Sequence, residues 1–424
     1  MIWIGILIGV LAVIGVYFYV YFRRMIGCLR KKKGDTATRL LSGFCAGGAA
    51  LLTLNMRSIW AIVMLHLFGF ALCMELVHAV IRWLTGRHMG ERRPAGRYMG
   101  ERRPAGRYMG ERRPAGRHRG RRRTADRQMS GRRKTALGEE NSPDRWDGLY
   151  RCGIIPILCT ALTVGYGYWN MNHVIRTDYR IKTEKDIRDQ GYVIALVSDL
   201  HYGTTMGAKK LREYADIIQD ASADMVVLCG DMVDEGTTRE QMEEAMGILG
   251  SIQSPMGTFF VHGNHDKTRY AGNPNFTAEQ LEDAVRNAGI RILADQKAEL
   301  PGGLQVVGRD DRSFPRGGRR KSIEELTEDM NQDKFILLLD HQPCELEAAD
   351  RAGCDLMLSG HTHAGQIWPS GLISQGTGMV ELNYGYRMMN HLQVIVSSGI
   401  AGWAYPVRTS KHCEYVIVTV ERAE

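Results

Sequence analysis

The stretch YVIALVSDLHYG, residues 192–203, sets the reading of the whole chain. Six residues without a charge, several of them β-branched, run into Ser198, Asp199, His201 and a glycine. A short apolar run that ends in a polar loop reads as a strand buried on both faces. The same figure returns four more times. ADMVVLCGDMVDEG begins at Ala223, GTFFVHGNHDKT at Gly257, KFILLLDHQP at Lys334 and DLMLSGHTHAGQ at Asp355. Helical stretches lie between, at 209–219 and 239–249. Strands alternating with helices predict an α/β fold. In open α/β sheets ligands gather at the carboxyl ends of the strands, and each of these five ends carries Asp, Asn or His.

The groups collected there are Asp199 and His201, Asp231, Asn264 with His265 and Asp266, His341, and His361 with His363. Oxygen and imidazole ligands together suit divalent first-row metals. The set is larger than one tetrahedral ion needs. Two ions about 3.5–4 Å apart, with a bridging carboxylate, use it better. Residues i and i+2 of an extended segment point to one side, so His361 and His363 can each serve a different ion. Gly360 lets the backbone come close. A lone His-x-His or Asp-x-His decides nothing, whereas five such motifs in succession, each at a strand end, point to a metal centre.

In that order the residues resemble the calcineurin-like metallophosphoesterases. The motifs are Asp199-Leu200-His201, Gly230-Asp231, Gly263-Asn264-His265-Asp266, a lone His341, and Gly360-His361-Thr362-His363. The resemblance covers residues 190–422. It implies a four-layer α-β-β-α sandwich with a dinuclear site at the sheet edge, holding two divalent ions such as Mn, Fe, Zn or Ni. It implies that Asp199, His201 and His363 hold one ion, that Asn264, His341 and His361 hold the other, and that Asp231 bridges. It further implies that His265 protonates the leaving oxygen with Asp266 orienting it. Hydroxide generated on the metals would attack phosphorus in line, so no Ser or Cys nucleophile is required.

Two departures narrow the class. Glu235 stands where the protein Ser/Thr phosphatases of the family have arginine, and Asp266 where they have glutamate, which argues against a phosphoprotein substrate. The SDLHYG start, the GHTHAGQ finish and the tail SSGIAGWAYPVR are instead similar to a membrane-anchored bacterial group. That group includes enzymes like those that cleave the pyrophosphate of UDP-2,3-diacylglucosamine. In the tail, Arg408 is a candidate to meet a substrate phosphate, with a structural salt bridge as the equal alternative. Arg309, Asp310, Asp311 and Arg312 fall near the expected site without an assignable role, and His262 reads as packing.

The amino-terminal part belongs to a bilayer. Residues 2–22 and 59–81 are apolar and long enough to span one. Residues 152–169 form another span with Tyr166, Tyr168 and Trp169 at its end, and residues 40–56 a weaker one. No basic region precedes residues 2–22, so they read as a span rather than a cleaved signal. Basic loops stay cytoplasmic. Arg30-Lys31-Lys32-Lys33 and the Arg-rich stretch after residue 86 cannot both be inside unless residues 40–56 cross, which argues for four spans. The expected protein is therefore a multi-pass membrane protein with an extracytoplasmic catalytic domain. His66, Glu75 and His78 lie within the third span, the latter two near its inner end, where snorkelling is easy.

The organisation expected is a transmembrane region over 1–84, a loop over 85–150, a fourth span over 151–170, a linker over 171–189 and the metallophosphoesterase domain over 190–424. The loop repeats itself with a period of ten. GRHMGERRPA at 86–95 becomes GRYMGERRPA at 96–105 and 106–115, then decays. A proline in each clear copy breaks helix, and the composition reads as disordered. The chain's net +8 comes from here: residues 1–86 carry +7, 87–134 carry +14 and 135–170 carry −2, which leaves −11 for 171–424. An acidic globular part repels nucleic acid, so none is expected as a partner. The partners expected are a phosphate-ester or lipid-linked pyrophosphate substrate and membrane lipids. Nine scattered cysteines with no CxxC pair indicate neither a zinc ribbon nor a disulfide scaffold. Two rival readings are an inactive membrane sensor or scaffold that retains the fold, and a transporter with an accessory domain. The full ligand set speaks against the first and the small number of spans against the second.

Overall fold

A computed structural model describes residues 2–31, 35–54, 58–84 and 145–423. The decapeptide repeat, expected as a disordered loop, lies outside the described residues. The twelve strands among them are β1 (Val174–Thr183), β2 (Tyr192–Val197), β3 (Met225–Cys229), β4 (Thr258–Val261), β5 (Arg291–Ile292), β6 (Gln296–Leu300), β7 (Leu304–Gly308), β8 (Phe335–Leu339), β9 (Leu356–Ser359), β10 (Gly385–Met388), β11 (Gln393–Val396) and β12 (Cys413–Arg422). They form two six-stranded sheets, ordered β1-β12-β2-β3-β4-β5 and β10-β11-β9-β8-β7-β6. Strands β2, β3 and β4 are parallel, as are β7, β8 and β9.

The four layers follow from the period-two alternation of side chains along each strand. Ile194 and Leu196 of β2 meet Leu337 and Leu339 of β8 between the sheets. Ala195 and Val197 face the other way, onto the helices Ala208–Asp220 and Arg239–Gly250. In the second sheet Ile336 and Leu338 turn outward onto Ile323–Thr327 and Leu346–Arg351. A strand covered on both faces reads as an unbroken apolar run, which is why the motif-bearing strands stand out in the sequence.

The expected linker over 171–189 is corrected. Residues 174–183 form β1, an edge strand parallel to β12 over its whole length. Arg176, Asp178, Arg180 and Lys182 point to solvent from alternate positions. Charged residues on an edge strand suppress pairing with other chains, and they also disguise the strand as a connector.

Helices occupy all four segments expected to span: Ile2–Leu29, Thr36–Leu54, Ile59–Leu84 and Ile154–Met171. Among the described residues two stretches, Leu11–Leu29 and Ile59–Leu84, are long and apolar enough to cross a membrane. The intrahelical acid is paired. Glu75 accepts hydrogen bonds from Arg24 and from Tyr150, and the His78 ring stacks on Tyr150 at 3.7 Å. These contacts tie three helices together at the end remote from the sheets. At the near end, Asn170 Nδ2 donates to the Arg408 and Lys411 carbonyls at 3.0 and 3.1 Å, and the Arg408 N–H donates to the Gly167 carbonyl at 2.9 Å.

Candidate metal centre

The five strand ends meet at one place. The loops after β2, β3 and β4 come from the first sheet, and those after β8 and β9 from the second. Their backbones turn sharply. Asp199, Asp231, His361 and His363 all have positive φ, from 49° to 73°. Such conformations are disfavoured for residues with a Cβ and cluster at functional sites. Glycines allow the loops to close. A Cβ on Gly263 would overlap the Asp231 carboxylate, and one on Gly360 would overlap that of Asp199.

Two groups of three ligand atoms result, Asp199 with His201 and His363, and Asp231 with His341 and His361. His201 Nε2 and His363 Nε2 are 3.2 Å apart, and His363 Nε2 is 3.5 Å from Asp199 Oδ1. Asp231 Oδ2 lies 3.1 Å from His341 Nε2 and 3.7 Å from His201 Nε2, so this one oxygen reaches into both groups. Ligands about 2.0–2.2 Å from a shared ion stand roughly 3–3.5 Å from one another. The donor set thus fits two divalent ions. Asn264 is buried, and its Oδ1 has no hydrogen-bond partner among the described residues. Buried polar atoms are almost always satisfied, so this oxygen is available to a further partner such as an ion.

Hydrogen bonds fix the ligands from behind. His341 Nδ1 donates to the Cys229 carbonyl at 2.8 Å, which leaves Nε2 as its ligand atom. The Asp199 carboxylate accepts the His361 N–H at 2.9 Å, and Asp231 Oδ1 accepts the His265 N–H at 2.9 Å. Burial, with His201 and Arg408 nearby, holds His363 well below the ordinary imidazole range, and burial with His341 brings His361 down to about 4. Neutral imidazoles are what metal binding requires. Despite burial, His341 holds the Asp231 carboxyl well below its usual range, and Asp231 in turn holds His341 well above. The Asp199 carboxyl is pushed up by burial and by the charge of Asp231. A cation between two buried carboxylates relieves that repulsion.

Six of the seven expected metal ligands thus fall into the two groups, and the seventh, Asn264, is buried with its Oδ1 free among the described residues. The other expectations fare differently. Asp266 does not touch the His265 ring. Its carboxylate accepts the backbone N–H groups of Asp231, Gly263, Met232 and Val233, at 2.8, 2.7, 2.9 and 3.2 Å. It clamps two ligand-bearing loops together. The partner of His265 is Glu235, whose carboxylate oxygens lie 2.9 and 3.1 Å from Nδ1. Burial works against a charged His265, but Glu235, Asp231 and Asp234 raise it above the usual range. Glu235 is visible in the sequence only as a departure from a motif, because spacing does not show which of several acids a ring faces.

Arg408 is corrected more strongly. It is 0% exposed. Its guanidinium donates to the carbonyls of His363, Ser398 and Ala401 at 2.9, 2.9 and 2.6 Å, and lies 3.4 Å from His363 Nδ1. It braces a ligand from behind and has no face toward a substrate. Arg309 is likewise buried, on Asp340 and Glu345, and Lys267 ties Asp310 to the motif loop at 2.6 Å. His262 is buried within 3.5 Å of Glu282, in the packing role expected. Two exposed aromatic residues flank His265. Trp403 and Tyr270 stand 5.3 and 5.1 Å from the His265 ring, centroid to centroid.

A profile of the family described as calcineurin-like phosphoesterase matches residues 192–365. An uncharacterized metallophosphoesterase of Aquifex aeolicus is 30% identical over 251 residues, which cover 57% of this chain and 90% of that protein. A transmembrane protein with metallophosphoesterase domain from Danio rerio is 27% identical over 287 residues, covering 65% of this chain. The chain spans 64% of the length of that Danio rerio protein. Among solved structures, a dimetal phosphatase from Danio rerio is similar over 50% of this chain and 88% of its own, at 14% identity and a TM-score of 0.34.

Proposed function

This chain belongs to the calcineurin-like metallophosphoesterases, and from that premise we propose that it hydrolyses phosphoester or pyrophosphate bonds of a lipid-linked substrate beside a bilayer. The observation that carries the reading is the single Asp231 oxygen within 3.1 and 3.7 Å of imidazoles from the two ligand groups. Phosphoester hydrolysis with two divalent metal ions is the chemistry of the family. When bound, such ions supply an activated water and offset charge on the phosphoryl oxygens.

The chain's own residues do the rest. Asp199, His201 and His363 would hold one ion, Asn264, His341 and His361 would hold the other, and Asp231 would serve both. Glu235 holds a proton on His265 Nδ1, which leaves Nε2 to give a proton to the departing oxygen. Asp266 and Arg408 fix the loops. The two apolar helices support membrane association, as do the relatives named as transmembrane proteins. A four-span topology with the domain outside keeps both basic stretches in the cytoplasm. It also disfavours a cytosolic nucleotide-lipid and favours a lipid phosphate of the envelope.

The test is metal add-back to the purified full chain. Stripped protein receives Mn²⁺, Zn²⁺, Fe²⁺, Ni²⁺ or Mg²⁺ in turn, with bis-p-nitrophenyl phosphate and p-nitrophenyl phosphate as probes. Metal-dependent turnover that disappears in Asp231→Asn, with the fold intact, is the expected result. Turnover that survives the substitution overturns the dinuclear assignment. No turnover with any metal, despite ions bound, moves the chain to the sensor reading.

A further inference from the structure

The loop that carries His361 and His363 continues into an apolar surface that the hydrolytic chemistry does not use. Trp368, Leu372, Ile373 and Met379 are each more than half exposed. Three of them lie on or beside the short helix Ser370–Gly376. A soluble domain rarely leaves such a cluster bare unless something covers it.

Hydrogen bonds fix the level of this surface relative to the apolar helices. The Trp368 N–H donates to Thr409 Oγ1 at 3.0 Å. The same hydroxyl lies 3.2 Å from His66 Nε2, on the helix Ile59–Leu84. Thr409 also packs on Gly167, where an added Cβ would come within 2.8 Å of its methyl group. His66 is seven residues inside its helix, so the contact sits about 10 Å from the helix start. From His66 to Leu84 the helix runs on for about 27 Å. That is close to the roughly 30 Å thickness of a bilayer's hydrocarbon core. A bilayer whose far boundary lies at Leu84 has its near boundary at the level of His66, Thr409 and Trp368.

Aromatic residues mark the same boundary. Tyr166, Tyr168 and Trp169, at the near end of Ile154–Met171 and flanking Gly167, are more than half exposed. Trp and Tyr collect at membrane–water interfaces, and Trp368 joins them from the globular domain. Trp403 links this level to the chemistry. Its N–H donates to Gln366 Oε1 at 2.9 Å, two residues before Trp368, and its ring faces His265.

We propose that segment 368–379 seats in the interfacial layer of the bilayer, and that the centre draws its phosphate from a lipid headgroup held there. The proposal rests on the membrane reading above and deepens it. The segment lies across the surface with Leu372 and Ile373 buried among headgroups and upper acyl carbons. A substrate anchored by its own acyl chain then reaches His265 past Trp403 without leaving the membrane.

Two measurements on the full chain decide it. In phosphatidylcholine–phosphatidylglycerol nanodiscs carrying a phospholipid with a diazirine near its carbonyl, cross-links are expected on 368–379 as well as on Ile59–Leu84. In the same nanodiscs, hexadecyl p-nitrophenyl phosphate is compared with methyl p-nitrophenyl phosphate, which presents the same reacting group from solution. The Leu372→Asp/Ile373→Asp variant is expected to lose at least about tenfold of the preference for the hexadecyl ester, with the methyl ester rate unchanged. Cross-links on Ile59–Leu84 but none on 368–379 overturn the proposal and leave the membrane reading standing, and so does a variant that keeps the preference. Cross-links nowhere overturn both. If neither ester is hydrolysed with metal added, the headgroup part falls with the phosphoesterase reading. If the variant does not fold, which the methyl ester rate reports, the wild-type cross-links decide alone.

Discussion

Glu235 holds His265 through Nδ1, with its two carboxylate oxygens 2.9 and 3.1 Å away, while Asp266, the acid next to His265 in sequence, faces only backbone. The pair gives the protonated ring one fixed orientation and keeps Nδ1–H on the carboxylate, so that Nε2–H is the proton to be given. An acid that must deliver a proton to a departing oxygen needs both.

Glu235→Ala is therefore expected to slow hydrolysis by about 10–100-fold, the scale for losing an orienting partner. The loss should be larger for phenyl than for p-nitrophenyl esters, because a poorer leaving group needs the proton more. Glu235→Gln keeps an acceptor oxygen and should recover part of the rate. Equal losses for both esters would show that Glu235 serves only the fold.

Arg408 supplies three buried carbonyls with their donor, and one belongs to the ligand His363. Arg408→Met removes that donor; the His363 carbonyl keeps the Gln366 N–H at 2.8 Å, whereas those of Ser398 and Ala401 are left in a closed interior. Each orphaned group costs about 1–3 kcal/mol. A fall in denaturation midpoint and in metal content is expected, read by urea melts and elemental analysis. A variant of unchanged stability with only a raised KM would restore the substrate-binding role.

The strand-end motifs were legible because each is local. A buried strand announces itself as an apolar run, and its loop follows within a few residues, as in 192–203. The seven candidate ligands could thus be named before it was known that β2, β3 and β4 belong to one sheet and β8 and β9 to another. What escaped depends on contacts between distant segments. Whether Glu235 or Asp266 faces His265 is decided by how the loop after β3 folds over the loop after β4. Arg408 carries the charge expected of a phosphate contact, and only packing shows that its fork is filled by carbonyls. Strand β1 escaped because four of its ten positions are exposed and charged.

Gly263 is required by space. A Cβ there would overlap both the Asp231 carboxylate and the Asp231 amide. Gly263→Ala must push the bridging group aside or move the loop. Overpacking of this kind costs about 1–3 kcal/mol. The expected outcome is a destabilised chain that binds fewer than two ions. Alanine tolerated with full metal content would mean that Asp231 has more freedom than the close packing implies.

Glu414 offers a test of stability against pH away from the metals. It is fully buried on β12, where it accepts the Ser398 N–H at 2.9 Å, the Tyr384 hydroxyl at 3.1 Å and the Thr177 hydroxyl, with His412 at 3.5 Å. Burial opposes its ionised form, but His412, Thr177, Ser398 and Tyr384 together hold the carboxyl below the usual range. A depressed carboxyl contributes its stability above the unfolded value, about 4.3 for Glu, and loses it as pH falls through the folded value. Wild type should therefore lose stability below about pH 4 more steeply than Glu414→Gln, whose amide does not titrate there. Urea melts between neutral pH and pH 3 provide the comparison. Parallel curves for the two proteins would mean that Glu414 is not the group whose protonation loosens the sheet.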